Sequence, residues 1–184
     1  MRKLLLITGD IATGKSTFAN ILSQRYNTNV FFKDSIKEVL GDTIGFSNRE
    51  ENKKLSNASM ELMFFIFSEF AKLGKGLILE SNFHRAELER LHKIAQSNGY
   101  NVLTIALFGD VEILHARYLN RMKNENRNPV HLSTTIDKFD DFKKCSDYLT
   151  SIEIPGEVIR INATDFSYQN SEEILFRIDT FMKE

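Results

Sequence analysis

The stretch Leu4–Leu22, LLLITGDIATGKSTFANIL, constrains the fold more than any other part of the chain. Leu4–Thr8 is a short, continuous apolar run, the pattern of a central parallel strand covered on both faces. It runs into Gly9-Asp10-Ile11-Ala12-Thr13-Gly14-Lys15-Ser16, and then into a helical pattern, Ser16–Gln24, with Phe18, Ile21 and Leu22 at helical spacing. The loop matches Gly-x-x-x-x-Gly-Lys-Ser in full. Its glycines let the backbone curl so that successive N–H groups point into one concavity, and the following helix adds its positive end. The ligand implied is the polyphosphate of a nucleoside triphosphate. The loop from Gly9 to Ser16 is expected to cradle it, with Lys15 reaching the β- and γ-phosphates. The Ser16 hydroxyl is placed to coordinate Mg2+, and Thr17 to add an α-phosphate contact. The bland alternative, a glycine-rich turn with a surface lysine, leaves the flanking strand and helix patterns as coincidence.

Strand-like and helix-like runs alternate through the rest of the chain. Strands are expected at Val30–Lys33, Gly76–Glu80, Val102–Phe108 and Val158–Ile161. A short helix, Ser35–Leu40, opens with the capping pattern Ser35-x-x-Glu38, and a longer one begins near Ser47 with Ser47-x-x-Glu50 and ends at Gly74. Leu55, Ala58, Leu62, Ile66, Phe70 and Leu73 give the long helix an apolar stripe, and Phe31, Phe32, Phe64, Phe65, Phe67 and Phe70 read as core. Further helices are expected at Ala86–Ser97, Asp110–Lys123 with Asp110 as N-cap, around Thr134–Cys145, and at Ser171–Met182. Five strands separated by helices predict a three-layer α/β/α fold around a five-stranded, mainly parallel sheet, in one domain over 1–184. Ligands on such a sheet bind beyond the carboxyl ends of the strands, at Gly9–Ser16, Asp34, Glu80–Asn82, Gly109-Asp110 and Asn162–Asp165.

Composition narrows the partners. The formal net charge of −1 over 184 residues offers no broad basic field, which argues against long nucleic acid and anionic membrane surfaces. Cys145 is the single cysteine, so no intramolecular disulfide forms. MRKLLLITGD is too short in apolar residues for a secretory leader, and the most apolar region, MELMFFIFSEFAKL, carries Glu61, Glu69 and Lys72. A cytoplasmic location is the default expectation. His84, His92 and His115 have no partner at zinc-ligand spacing.

A phosphate loop alone does not separate kinases, switches and motors. A guanine-reading Asn-Lys-x-Asp is missing, since Asn52-Lys53 is followed by Lys54-Leu55, and the chain is short for a ring-forming ATPase. A small-substrate kinase needs a carboxylate near the γ-phosphate, cations for the phosphoryl group in flight, and a way to exclude water. Asp34, ending the second strand in VFFKDSIKEVL, is the candidate base, or alternatively the cap of its own helix. Lys33 beside it is a candidate substrate contact. Arg117, Arg121 and Arg127 in ARYLNRMKNENRNPVH are the candidate cations. Arg117 and Arg121 share a helix face, just before a stretch that lacks apolar anchors and is free to close as a lid over 117–132.

The combination of ITGDIATGKSTFA, FFKDSIKEVLGDTIGFS, GLILESNF and ARYLNRMKNENRNPVH resembles the small P-loop kinases related to polynucleotide kinase, zeta toxin and chloramphenicol phosphotransferase. The resemblance covers about Leu4 to Leu149 and implies a nucleoside-kinase-like fold with a short lid, ATP and Mg2+ as cofactors, and a small-molecule acceptor. Polynucleotide kinase relatives place an Asp-x-x-Arg after the second strand, matched here by Asp34 and Lys37. Lysine at 37 lacks the bidentate fork suited to a phosphate. Glu80-Ser81-Asn82 stands where these kinases carry an Asp after the third strand. Glu80 is thereby implicated with Ser16 in holding the metal, and Glu80 and Asn82 in the acceptor site. The family's lid, Arg-His-Pro-Gly-His, is matched at Arg127 and His131. The loop after the last strand is where such kinases wrap the adenine. The expectation is an ATP-dependent phosphotransferase using Lys15, Asp34, Arg121 and Arg127. Its rivals are a non-catalytic ATP-binding regulatory module and a toxin-like or antibiotic-inactivating kinase of the same fold.

Overall fold

The computed structural model describes residues 2–132 and 136–183. Its five strands are β1 (Lys3–Gly9), β2 (Asn29–Phe32), β3 (Leu77–Glu80), β4 (Asn101–Phe108) and β5 (Glu157–Asn162). They form one sheet in the order β2-β3-β1-β4-β5, with every neighbouring pair parallel. The helices are α1 (Lys15–Tyr26), α2 (Lys33–Ile44), α3 (Arg49–Lys72), α4 (Arg85–Ser97), α5 (Val111–Asn124), α6 (Pro129–Leu132), α7 (Phe139–Ser151) and α8 (Glu172–Lys183).

Successive β1 side chains serve opposite faces. Leu4 and Leu6 pack with Met63, Phe67, Leu88 and Leu91 of α3 and α4. Leu5 and Ile7 pack with Phe18 and Leu22 of α1 and Ile178 and Phe181 of α8. This period of two, with helices on both faces, makes the three layers. A parallel sheet brings every strand's carboxyl end to the same edge. The ends of β1, β2, β3 and β5 therefore deliver Gly9, Lys33, Ser81 and Ala163 to one side of the molecule.

Several local expectations shift. The Ser35-x-x-Glu38 box does not form: α2 starts two residues earlier, at Lys33, with Phe32 as N-cap and no side-chain cap. The start of α3 slides by one residue, because Asn48 Oδ1 accepts from the Glu51 amide while Ser47 N–H donates to Glu51 Oε2. The buried face of α3 is Leu55, Ser59, Met63, Phe67 and Ala71; of the expected stripe Leu55 belongs to it and Ile66 and Phe70 pack partly buried beside it, whereas Leu62 and Leu73 are exposed, as is Phe65 at 61%. Residues 62–67 are apolar all round the helix, so spacing alone selects no face, and the side with small Ser59 and Ala71 is the one that packs inward. The helix expected from Thr134 runs instead over Phe139–Ser151, and Thr134 itself lies outside the described residues. Asp110 caps α5 as expected, its Oδ1 accepting from the Glu112 and Ile113 amides. No described helix is long and apolar enough to cross a membrane.

Candidate active site

The glycine loop is shaped by where its backbone has to pass. Gly9 has φ +122, and a Cβ there would lie 1.9 Å from the Leu107 carbonyl oxygen of β4. The Asp10 amide donates to that oxygen at 2.8 Å, which pins the loop's entry to the sheet. Gly14, in the left-handed region at φ 86, caps α1 without any side-chain hydrogen bond. The amides of Lys15, Ser16 and Thr17 therefore have neither an i−4 partner nor a cap, which is the arrangement an anion completes. Behind the loop, Thr13 Oγ1 donates to the Asp10 carbonyl at 2.8 Å and the Tyr168 hydroxyl donates to the Thr13 carbonyl at 2.9 Å.

In front of the loop lies a cleft of about 620 Å³. It is lined by Ile11, Ala12, Gly14, Lys15, Ser16 and Thr17 from the loop, and by Lys33 and Asp34 from α2. Glu80, Ser81 and Asn82 follow from β3, and Arg117, Arg121 and Arg127 face them from α5 and its continuation. The sequence candidates thus converge, with four exceptions. Gly9, Asp10, Thr13 and Lys37 do not line the cleft. Gly9 and Thr13 shape the loop from behind. Asp10 is fully buried; burial raises its pKa, with the Ser146 hydroxyl and the Lys15 ammonium pulling it back down. Lys37 points elsewhere, its ammonium donating to the Val130 carbonyl at 3.1 Å.

Lys15 is buried and its ammonium donates to the Asp10 carbonyl at 2.5 Å. Burial lowers its pKa, opposed by Glu80, Asp34 and Asp10, while Arg121 pushes the same way as burial. Glu80 shows the opposite shift: burial raises its pKa and Asp34 adds to the rise, against Lys15 and the Ser16 hydroxyl. Ser16 Oγ donates to Glu80 Oε2 at 3.0 Å. A buried carboxylate paired with the loop serine fits Mg2+, which takes few protein ligands and fills its shell with phosphate oxygens and water. Among the described residues no group of three or more His, Cys, Asp or Glu is placed to hold a metal ion. The cleft carries five cationic side chains against three carboxylates, a balance suited to a polyphosphate.

Asp34 sits in the first turn of α2, exposed to the cleft, and no hydrogen bond to its carboxylate occurs among the described residues. Arg117 is fixed by its own contacts: its guanidinium donates to the carbonyls of Ala163 (2.9 Å) and Thr164 (2.5 Å), and stacks 4.1 Å from the Phe166 ring centroid. Arg121 pairs with Glu125 at 3.2 Å. The stretch after α5 is anchored after all, through Val130, which is fully buried.

Ser81 lies within the expected Glu80–Asn82 segment, and four lining residues escaped the sequence reading: Asn120, Glu125, Phe166 and Gln169. Asn120 had a signal, since it falls three residues from Arg117 on α5, whereas Glu125 is the extended residue that ends that helix and had none. Phe166 and Gln169 follow β5 by a few residues, just past the segment that topology marks, and nothing local distinguishes them from other loop residues.

The zeta toxin family profile matches residues 2–172. The chain belongs to the zeta toxin family. Membership fits the P-loop kinase architecture of the sheet and the cleft at its carboxyl edge. Among solved structures, a candidate kinase from Chloroflexus aurantiacus j-10-fl superposes with a TM-score of 0.81 at 23% identity, over 97% of this chain and 96% of that one. The tunicamycin resistance protein of Deinococcus radiodurans gives 0.65 at 16%, over 97% and 96%. A gluconokinase from Sinorhizobium meliloti 1021 gives 0.64 at 9%, over 98% and 93%. At these identities the likeness establishes the shared fold. No curated protein matches the chain.

Proposed function

We propose that this protein is a single-domain kinase that moves the γ-phosphoryl group of ATP to a hydroxyl of a small-molecule acceptor. The observation that carries the reading is the convergence of Lys15, the Ser16–Glu80 pair, Asp34, Arg121 and Arg127 on one cleft. Lys15 leaves the Asp10 carbonyl to hold the β- and γ-phosphates, with the amides of Gly14–Thr17 around them. Ser16 and Glu80 would hold Mg2+, which would supply charge neutralisation for the polyphosphate. Asp34 accepts the hydroxyl proton of the acceptor as its oxygen bonds to phosphorus; the bond to the leaving oxygen breaks and ADP departs with the electron pair. Arg121 and Arg127 offset the charge on the phosphoryl group in transit. The segment 117–132 covers the cleft as a lid seated on α2 through Val130, not one left free to close. Family membership supports the kinase class, and the lack of a side-chain cap on α2 favours Asp34 as base over Asp34 as cap.

The test is a screen of nucleosides, sugars, aminoglycosides and amphenicols with γ-labelled ATP, beside an Asp34→Asn control. Label is expected on one acceptor class and on none in the control. Undiminished transfer by Asp34→Asn would remove Asp34 as the base. Label on an aminoglycoside or amphenicol would mark the antibiotic-inactivating version of the reading.

A further inference from the structure

The segment after α5 is held against α2 and α3 by contacts centred on one residue. Val130 is fully buried, and its side chain fills the space that Gly41 leaves open on α2: a Cβ on Gly41 would lie 2.2 Å from Val130 Cγ1. The Val130 carbonyl accepts from two buried side chains, Lys37 Nζ at 3.1 Å and Asn52 Nδ2 at 2.8 Å. To either side, Asn128 Nδ2 donates to Asp42 Oδ1 at 3.0 Å and His131 Nε2 lies 2.7 Å from Glu38 Oε1. Lys37, Glu38, Gly41 and Asp42 form one stripe of α2, and Asp34 begins the same stripe one turn earlier. Arg127, three residues before Val130, lines the cleft. One rigid helix therefore carries the candidate base in its first turn and grips the arginine segment over its next two.

We propose that Gly41, Lys37 and Asn52 are positioning residues for phosphoryl transfer, forming a socket for Val130 that fixes Arg127 relative to Asp34. The proposal rests on the kinase reading of the cleft. An arginine on an untethered strand must be ordered each time it meets the phosphoryl group, whereas one next to a seated anchor is ordered in advance. Seating is also all-or-none in character. If Val130 leaves, the buried Lys37 ammonium and the Asn52 amide lose that hydrogen-bond acceptor together, so intermediate positions are disfavoured. The fit to Gly41 admits no added methyl, because β-branched Val130 has no flexible end to swing aside.

The socket can be tested without knowing the acceptor, by comparing affinity for MgADP, which reports the phosphate loop, with affinity for MgADP plus aluminium fluoride, which mimics the group in transit. Gly41→Ala is expected to leave MgADP affinity within about twofold while weakening the fluoride complex about tenfold or more, less than the roughly 10³-fold worth of a charge-stabilising arginine because Arg127 is displaced and not removed. Adding Val130→Ala should restore the fluoride complex to within about threefold of the parent. Removing Cγ1 leaves the Val130 Cβ 3.7 Å from the new methyl, an ordinary contact. The proposal is overturned if Gly41→Ala holds the fluoride complex as tightly as the parent, or if Val130→Ala fails to relieve the loss. Should Gly41→Ala not fold, Lys37→Met decides by the same ratio of affinities, and an unchanged ratio overturns the proposal. A parent protein that binds no MgADP would remove the kinase reading itself, and this proposal with it.

Discussion

Lys15 and Glu80 are driven in opposite directions by the same loss of water. Burial favours the neutral form of each, so the lysine is lowered and the glutamate raised, and their mutual attraction only partly offsets this. On the proposed reading, a Mg-nucleotide would give the ammonium anionic oxygens and the carboxylate a divalent charge. Two outcomes follow at this scale. Lys15→Ala should weaken MgATP binding about 10- to 100-fold, the worth of one charge-assisted hydrogen bond of roughly 1.5–3 kcal/mol, as read by titration calorimetry. For Glu80 the folded-state pKa lies above its usual value. Its contribution to stability is complete below that usual value and is lost as pH rises through the raised one. Mg2+ binds the ionised form, so the melting-temperature gain of MgADP over ADP with chelator should grow from pH 5 to pH 8; a gain that is flat or falling contradicts the pairing of Glu80 with the metal. Asp10 and Lys37 show where residue-level reading stops. Each sits beside a ligand-binding element, yet Asp10 is fully buried behind the loop and Lys37 turns to a carbonyl 93 positions away, placements that no local pattern announces.

The β1–loop–α1 unit was legible because everything that shapes it is local: an apolar run, glycines at two of its three positive-φ positions (Ala12 holds the third), and helical spacing after them. Gly9→Ala should show how tight the unit is. The added methyl meets the Leu107 carbonyl at 1.9 Å with φ at +122, and it should cost about 3 kcal/mol or more in urea denaturation, at or beyond the top of the ordinary range for one substitution. The buried face of α3 and the register of its cap were not legible, for a related reason. Where Leu62–Phe67 is apolar on every side, the neighbours choose the face, and where Ser47 and Asn48 both can cap, the backbone chooses between them. The stretch after α5 read as unanchored because Val130 is a lone apolar residue among polar ones; its importance lies in the Gly41 gap across from it, which is tertiary information. The arginines were visible as a spacing, but the division of labour among them was not. Arg117 is committed to the loop after β5, whereas Arg121 and Arg127 line the cleft without such ties to the sheet.

Across the whole molecule, the β2-β3-β1-β4-β5 order puts the glycine loop at the centre of the sheet, with Asp34 toward β2 and the loop after β5 on the other flank. The helical layer behind β1 is clasped far from the cleft. Asp179 of α8 receives a bidentate pair from Arg25 and a hydrogen bond from Tyr26, which hold its carboxyl down at about 2. A depressed carboxyl contributes stability above its usual value of 3.8 and loses it as pH falls through about 2. Asp179→Asn should therefore lower stability at neutral pH and flatten its acid-side decline between pH 4 and pH 2, measured by urea midpoints; a parallel decline would contradict the clasp. The central claim, however, is that the cleft captures a Mg-nucleotide by its polyphosphate and presents the γ-phosphoryl group to Asp34. Calorimetric titration of MgATP into the folded protein, beside Lys15→Ala and Asp34→Asn, tests it most directly. One metal-dependent site, weakened in Lys15→Ala and retained in Asp34→Asn, is the result predicted; no uptake by the parent, or equal uptake by Lys15→Ala, would contradict it.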